Sequence, residues 1–239
     1  MPAFEMAKYS DLTVIIPTLN EKGNISAIVK DLTERYFGVH IIIADDGSTD
    51  GTLEEARLVT EKSGGKVVLL NRSKSHAHGL TISVIEAALR TRTKKIIVMD
   101  ADMQHPISKV RNIYEALDSN DLAIGIRTSV REWGLHRRIL SRGINLISYT
   151  VFKLRGKPTC SDMMSGFFGI RTPLFQKVIK ESRDEYVNEG YKVLLDTLRL
   201  LDRSVRIKEI GYSTFRDRKR GKSKLRVTHM LRVLNSTFR

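Results

Sequence analysis

Cysteine is almost absent from this 239-residue chain: Cys160 stands alone. An intrachain disulfide is excluded, and a reducing cytoplasmic compartment is the natural setting. Long apolar runs are missing too. No stretch approaches the roughly 18 apolar residues of a membrane span. Met1 to Asp11 lack the basic start, apolar centre and small-residue cleavage site of a secretory signal. There is no internal repeat and no low-complexity linker. Acidic charge is scarce: 27 Asp and Glu face 41 Lys and Arg, for a formal net charge of +14. Such a chain suits anionic partners, whether nucleic acid, phospholipid headgroups or phosphorylated substrates. Its 41% of apolar residues is ordinary for a globular core and excludes a disordered chain.

What is present alternates regularly through the first half. Short β-branched runs occur at Leu12–Ile16, Val39–Ala44, Lys66–Leu70, Lys95–Met99 and Leu122–Ile126. Helix-compatible stretches separate them at Lys22–Phe37, Thr52–Ser63, Thr81–Thr91 and Ile107–Leu117. This alternation predicts βαβ units around a mostly parallel sheet with helices on both faces. In such a sheet ligands sit beyond the carboxyl ends of the strands. Three polar clusters fall there: Pro17-Thr18-Leu19-Asn20-Glu21 after the first run, Asp45 to Thr52 after the second, and Asp100-Ala101-Asp102-Met103-Gln104-His105-Pro106 after the fourth.

Asp100 and Asp102 lie one residue apart just past a buried strand. Their oxygens suit a hard divalent cation, Mg²⁺ or Mn²⁺, which would neutralise a diphosphate leaving group. An Asp-x-Asp pair also occurs on ordinary surface turns; its register with two other acidic loops is what favours chemistry. In the second cluster Asp50 and Thr52 are expected to cap the next helix, while Asp45 or Asp46 faces the ligand. His105, and likewise His76 and His78, read as loop residues.

Beyond Arg127 the character changes. Arg127 to Arg142 holds five arginines against one glutamate. Leu140, Ile144, Ile147, Val151 and Leu154 then recur at helical spacing, the stripe either of a core helix or of one lying on a membrane. A further basic cluster, Arg216 to Arg226, precedes a stripe of Val227, Leu231, Leu234 and Phe238.

The run Val14 to Glu21, the Asp45–Thr52 loop and Asp100 to Pro106 resemble the inverting glycosyltransferases of family 2, in particular dolichyl-phosphate mannose synthases. The likeness continues through Asp162-Met163-Met164-Ser165-Gly166-Phe167-Phe168, Glu189-Gly190-Tyr191-Lys192, and Phe215 to Leu225. Only Gly79-Leu80 remains of a glycine-rich stretch common after the third strand. The resemblance implies an A-type glycosyltransferase fold, a Rossmann-like sheet with C-terminal amphipathic helices. It implies that Asp100, Ala101, Asp102 and Gln104 surround metal and diphosphate, with Asp100, Asp102 and Gln104 as metal ligands. Pro17, Leu19, Asn20, Glu21 and one of Asp45 or Asp46 would line the nucleoside pocket. The donor would be a sugar nucleotide, GDP-mannose first, and the acceptor dolichyl or another polyprenyl phosphate.

A phosphate acceptor arrives ionised and needs cations, not a general base. Arg127, Arg137, Arg138, Arg142, Arg218 and Lys224 are the candidates, with Ser141 among them, and about half are expected to be solvated surface charge. Residues 1–226 are expected to form the catalytic domain and 227–239 an amphipathic helix. The expected location is the cytoplasmic face of a membrane. Attachment would come from the amphipathic stretches, an anchoring subunit or a span outside these residues. The rivals are a UDP-glucose-dependent enzyme with the same acceptor, a sugar-nucleotide binder without turnover, and a nucleic-acid-binding protein. Against the last, the basic clusters lie in the second half and no nucleic-acid module is visible, so nucleic acid is not expected as a partner.

Overall fold

The computed structural model describes residues 8–128, 135–187, 192–213 and 237–238, the side chains of 135–141 excepted. Among the described residues seven strands form one sheet: β1 (Leu12–Thr18), β2 (His40–Asp45), β3 (Val67–Asn71), β4 (Lys95–Val98), β5 (Leu122–Arg127), β6 (Phe168–Arg171) and β7 (Ile207–Tyr212). Their order is β3-β2-β1-β4-β6-β5-β7. The helices that accompany them are α1 (Ile25–Arg35), α2 (Thr52–Glu61), α3 (Leu80–Arg90), α4 (Val110–Ala116), α5 (Leu135–Leu154), α6 (Thr172–Glu181) and α7 (Val193–Leu200).

Side-chain alternation builds two apolar layers. In β1, Leu12, Val14 and Ile16 enter one cluster with α1 and α4, while Ile15 enters the other with α3, α6 and α7. Helix α1 meets the sheet with Ile25, Ile28, Val29 and Leu32, a stripe at helical spacing. The five strands and four helices expected of the first half are all present. Ile107–Lys109 is a 3-10 turn leading into α4.

Two strands had escaped the sequence pattern. β6 is only four residues long, and it inserts antiparallel between β4 and β5. Its centre is Gly169, where a Cβ would lie 2.5 Å from Ile113 Cγ2, so glycine lets α4 approach the sheet. β7 pairs parallel with β5 at the edge.

The stripe on α5 is corrected. Ile144, Ser148 and Phe152 are the buried row, with Val151 partly covered. Ile147 and Leu154 are 41% and 83% exposed, joined by Leu146 at 66%. The row at steps of four meets the core, and steps of three then point aside. Thr237 packs on this helix, its hydroxyl 2.8 Å from that of Ser148. Leu140 lies in α5 with its side chain outside the described set, and Val227, Leu231 and Leu234 lie outside the described residues. No described helix is long and apolar enough to cross a membrane.

Candidate active site

Register brings the ends of β1 and β2 together. Thr18 pairs with Asp45, and Asp45 with Asn71 of β3. β4 joins with Val98 opposite Ile15, and the Met99 N–H donates to the Ile15 carbonyl. The three acidic loops therefore do share one edge of the sheet.

The β1–α1 and β2–α2 loops are stitched to each other. Asn20 has φ +55°, a left-handed conformation that asparagine tolerates. Its N–H donates to Ser48 Oγ, its Oδ1 accepts the Thr49 N–H, and the Glu21 N–H donates to Thr52 Oγ1. Pro17 is buried as part of β1, and Leu19 is half-buried. The N-cap of α2 is Gly51, at φ +98°, where Asp50 or Thr52 had been expected. The Asp50 carboxylate takes the Thr52 N–H and also the Lys22 N–H, so it ties two loops as well as the helix start.

Asp45 and Asp46 divide their tasks. Asp45 is fully buried, and its carboxylate accepts from the Gly47 and Ser48 amides and the Thr18 and Ser48 hydroxyls. Those four bonds occupy its acceptor sites and shape the loop. Asp46 holds the Arg72 guanidinium and accepts the Gly79 N–H at 2.6 Å. The half-exposed His78 ring lies 3.4 Å from it. Gly79, at φ +133°, caps the start of α3 in a conformation that L side chains rarely adopt.

Sequence reading missed Arg72. It is 1% exposed, contacts Asp46, Ser83 and Glu86, and donates to the Ala77 carbonyl. Its only local signal was a basic residue directly after a strand, unremarkable in so basic a chain.

The β4–α4 loop carries Asp100, Asp102 and Gln104, all partly exposed, with Ala101 buried beneath them. Met103 has φ +60°, a strained conformation for a residue with a long side chain. The turn is closed on one side by the Gln104 N–H donating to Asp102 Oδ1 at 3.1 Å. On the other, the Asp100 N–H donates to His105 Nδ1 at 3.1 Å. His105 is thus more than a loop residue: it is 5% exposed and stacks on Phe167 with centroids 5.1 Å apart. Burial pushes its pKa down to about 4, against a smaller upward pull from Asp102. It is neutral at pH 7, with the proton on Nε2.

The stretch Asp162 to Phe168 forms the wall behind this loop. Asp162 grips Arg127, and Ser165 donates to the Gly125 carbonyl at 2.6 Å. Phe167 supports His105, and Phe168 enters the core against Phe175. A Cβ on Gly125 would lie 2.7 Å from the Phe167 ring, so Gly125 leaves that ring its place. The Tyr212 hydroxyl is buried here without a hydrogen-bond partner among the described residues. Burial raises its pKa and Arg127 opposes, while Asp162, Asp100 and Asp102 add to the rise.

Of the expected phosphate-binding cations, Arg127 is already paired with Asp162. Arg142 is exposed on α5. The side chains of Arg137, Arg138 and Ser141, and all of Arg218 and Lys224, lie outside the described residues, as do Glu189 to Tyr191.

The sequence profile described as "Glycosyl transferase family 2" matches residues 13–179. The chain is 30% identical over 236 residues to a dolichol-phosphate mannosyltransferase of Pyrococcus furiosus, covering 95% of this chain and 63% of that protein. It is 32% identical over 229 residues to one of Mycosarcoma maydis, covering 89% and 73%. In three dimensions it resembles glucosyl-3-phosphoglycerate synthase of Mycobacterium tuberculosis, solved with uridine diphosphate, with a TM-score of 0.65 at 17% identity over 95% of this chain and 78% of that one. That likeness bears out the A-type glycosyltransferase fold. The chain belongs to glycosyl transferase family 2.

Proposed function

We propose that this chain transfers a sugar, with mannose from GDP-mannose as the first choice, to a polyprenyl phosphate with inversion, aided by a divalent cation. Support for a mannosyl group and a dolichol-phosphate acceptor comes from the relatives named dolichol-phosphate mannosyltransferase.

One observation carries the acceptor reading: the state of His105. Its Nδ1 lone pair is occupied by the Asp100 amide, so the histidine of this loop is not free to remove a proton. A sugar hydroxyl would need such a base, whereas a lipid phosphate brings its own negative oxygen. That oxygen attacks the anomeric carbon while the bond to the donor diphosphate breaks on the opposite face.

Asp100, Asp102 and Gln104 would hold the cation. Among the described residues no three His, Cys, Asp or Glu side chains group to enclose an ion. Two carboxylates and an amide oxygen leave room for phosphate oxygens, as Mg²⁺ and Mn²⁺ require, and no thiolate competes. The buried Tyr212 hydroxyl, without a partner among the described residues, would be a donor for a phosphate oxygen. When bound, the cation would offset the charge of the departing diphosphate. Asp46 is the nucleoside-facing candidate of its pair, with Pro17, Leu19, Asn20 and Glu21 beside it. Arg137, Arg138, Arg142, Arg218 and Lys224 remain the proposed acceptor cations, with Ser141 alongside.

The exposed Leu146, Ile147 and Leu154 share α5 with Arg142 and Lys153, and Arg155 follows directly after the helix. This apolar and basic face suits a membrane surface where the lipid acceptor resides, on the cytoplasmic side.

The deciding experiment is a screen of radiolabelled GDP- and UDP-sugars with dolichyl phosphate and Mg²⁺ or Mn²⁺. Lipid-soluble label from GDP-mannose alone is expected. Label from UDP-glucose would replace the donor assignment, and no transfer with any pair would overturn the reading.

A further inference from the structure

His105 is held on three sides. Phe167 stacks on it at an interplanar angle of 12°, and Tyr212 meets it edge-on with centroids 6.4 Å apart. Its third contact is Asp100: Nδ1 accepts the backbone N–H at 3.1 Å, and Nε2 lies 3.7 Å from Oδ2. One rigid ring therefore references both the main chain and the carboxylate of the same residue. The Asp100 side chain itself is 34% exposed. The turn it opens contains Met103 at φ +60°, a conformation that persists only where the surroundings over-determine it. On the far side of that turn the Gln104 N–H bonds Asp102; on the near side the Asp100 N–H bonds His105.

We propose that His105 is a positioning residue for the cation: its Nδ1 lone pair holds the Asp100–Gln104 turn in the shape that presents the oxygen ligands. The inference rests on the metal reading above. A merely structural histidine would act through its ring, by filling space against Phe167. A positioning histidine acts through its acceptor atom. Two substitutions separate the roles. His105→Phe keeps an aromatic ring and loses the acceptor. His105→Asn loses the ring but places an amide oxygen near the position of Nδ1.

The test measures free Mn²⁺ by electron paramagnetic resonance as it is titrated with each protein, with GDP and separately with UDP present. Melting in EDTA serves as the control for folding. His105→Phe is expected to bind Mn²⁺ about ten- to a hundredfold more weakly, the usual effect of losing a group that orients metal ligands. His105→Asn should recover most of the affinity although it melts lower than His105→Phe. The reverse order, with Phe binding like wild type and Asn impaired, overturns the proposal in favour of packing. If the unaltered protein takes up no Mn²⁺ with either nucleotide, the metal assignment itself fails and takes the inference with it. Should a variant not fold, exchange of the Asp100 amide in the unaltered, metal-free protein decides. Strong protection is expected, and exchange as fast as an open loop overturns the role.

Discussion

Arg127, at the end of β5, holds both carboxylate oxygens of Asp162, with Nε to Oδ2 at 2.7 Å and Nη2 to Oδ1 at 2.8 Å. The pair is largely shielded, 17% and 14% exposed at the side chains. A fork bound this way anchors the Asp162–Phe168 wall to the sheet. Asp162→Ala is expected to cost about 2–3 kcal/mol, because a charged donor loses its partner. Arg127→Lys should not spare the loss, since an ammonium cannot make the two-point contact. Urea denaturation of the variants measures this. Wild-type midpoints for both would show that the pair contributes nothing.

Arg72 presents the stricter case, since it is all but inaccessible and contacts Asp46 and Glu86. Arg72→Met leaves the buried Asp46 without its cation and should destabilise by about 3–5 kcal/mol. Combining it with Asp46→Asn removes the stranded charge while keeping an acceptor for the Gly79 N–H. The double variant should regain much of the stability. If the two changes simply add, Asp46 is not held by Arg72 in solution.

For the metal loop, Asp102→Asn should reduce transfer by orders of magnitude while the melting temperature stays close to wild type, because this partly exposed side chain closes no core. Excess EDTA should act likewise, reversibly on adding Mn²⁺. Undiminished transfer in EDTA, with sugar-nucleotide binding intact, would remove Asp102 from the metal site.

The α5 face is tested with vesicles. Flotation should be stronger with anionic than with neutral liposomes, because apolar insertion and headgroup attraction act together. Leu146→Asp with Leu154→Asp should weaken binding at least about tenfold, given roughly 1.5–3 kcal/mol for each buried leucine. Both side chains are exposed, so folding should not change. Equal flotation on both vesicle types, or none, would leave this face without a membrane role.

The acceptor cations call for paired measurement. Arg142→Ala and Arg218→Ala should lose about ten- to a hundredfold in transfer, as expected for a charge-assisted contact of about 1.5–3 kcal/mol. Calorimetry should find sugar-nucleotide affinity near normal. Wild-type transfer by both would move the acceptor site elsewhere.

By itself the sequence determined the βαβ half, because its information is local. The β-branched run Leu12–Ile16 and the helix-compatible stretch Lys22–Phe37 are each legible from their own residues. The same locality marked the Asp100–Gln104 cluster, since loops after parallel strands must share an edge. Tertiary structure alone decided what lies behind those loops. β6, four residues with a central glycine, carries too little pattern to announce a strand, and its place between β4 and β5 follows from the packing of Gly169 against Ile113. Arg72 finds Asp46 across 26 positions and Arg127 finds Asp162 across 35. At such separations the chain topology chooses the partner. His105 shows the limit most clearly: a histidine beside a proline reads as an ordinary loop residue. Only burial under Phe167, 62 positions away, withholds water from it and leaves its free lone pair to the Asp100 amide.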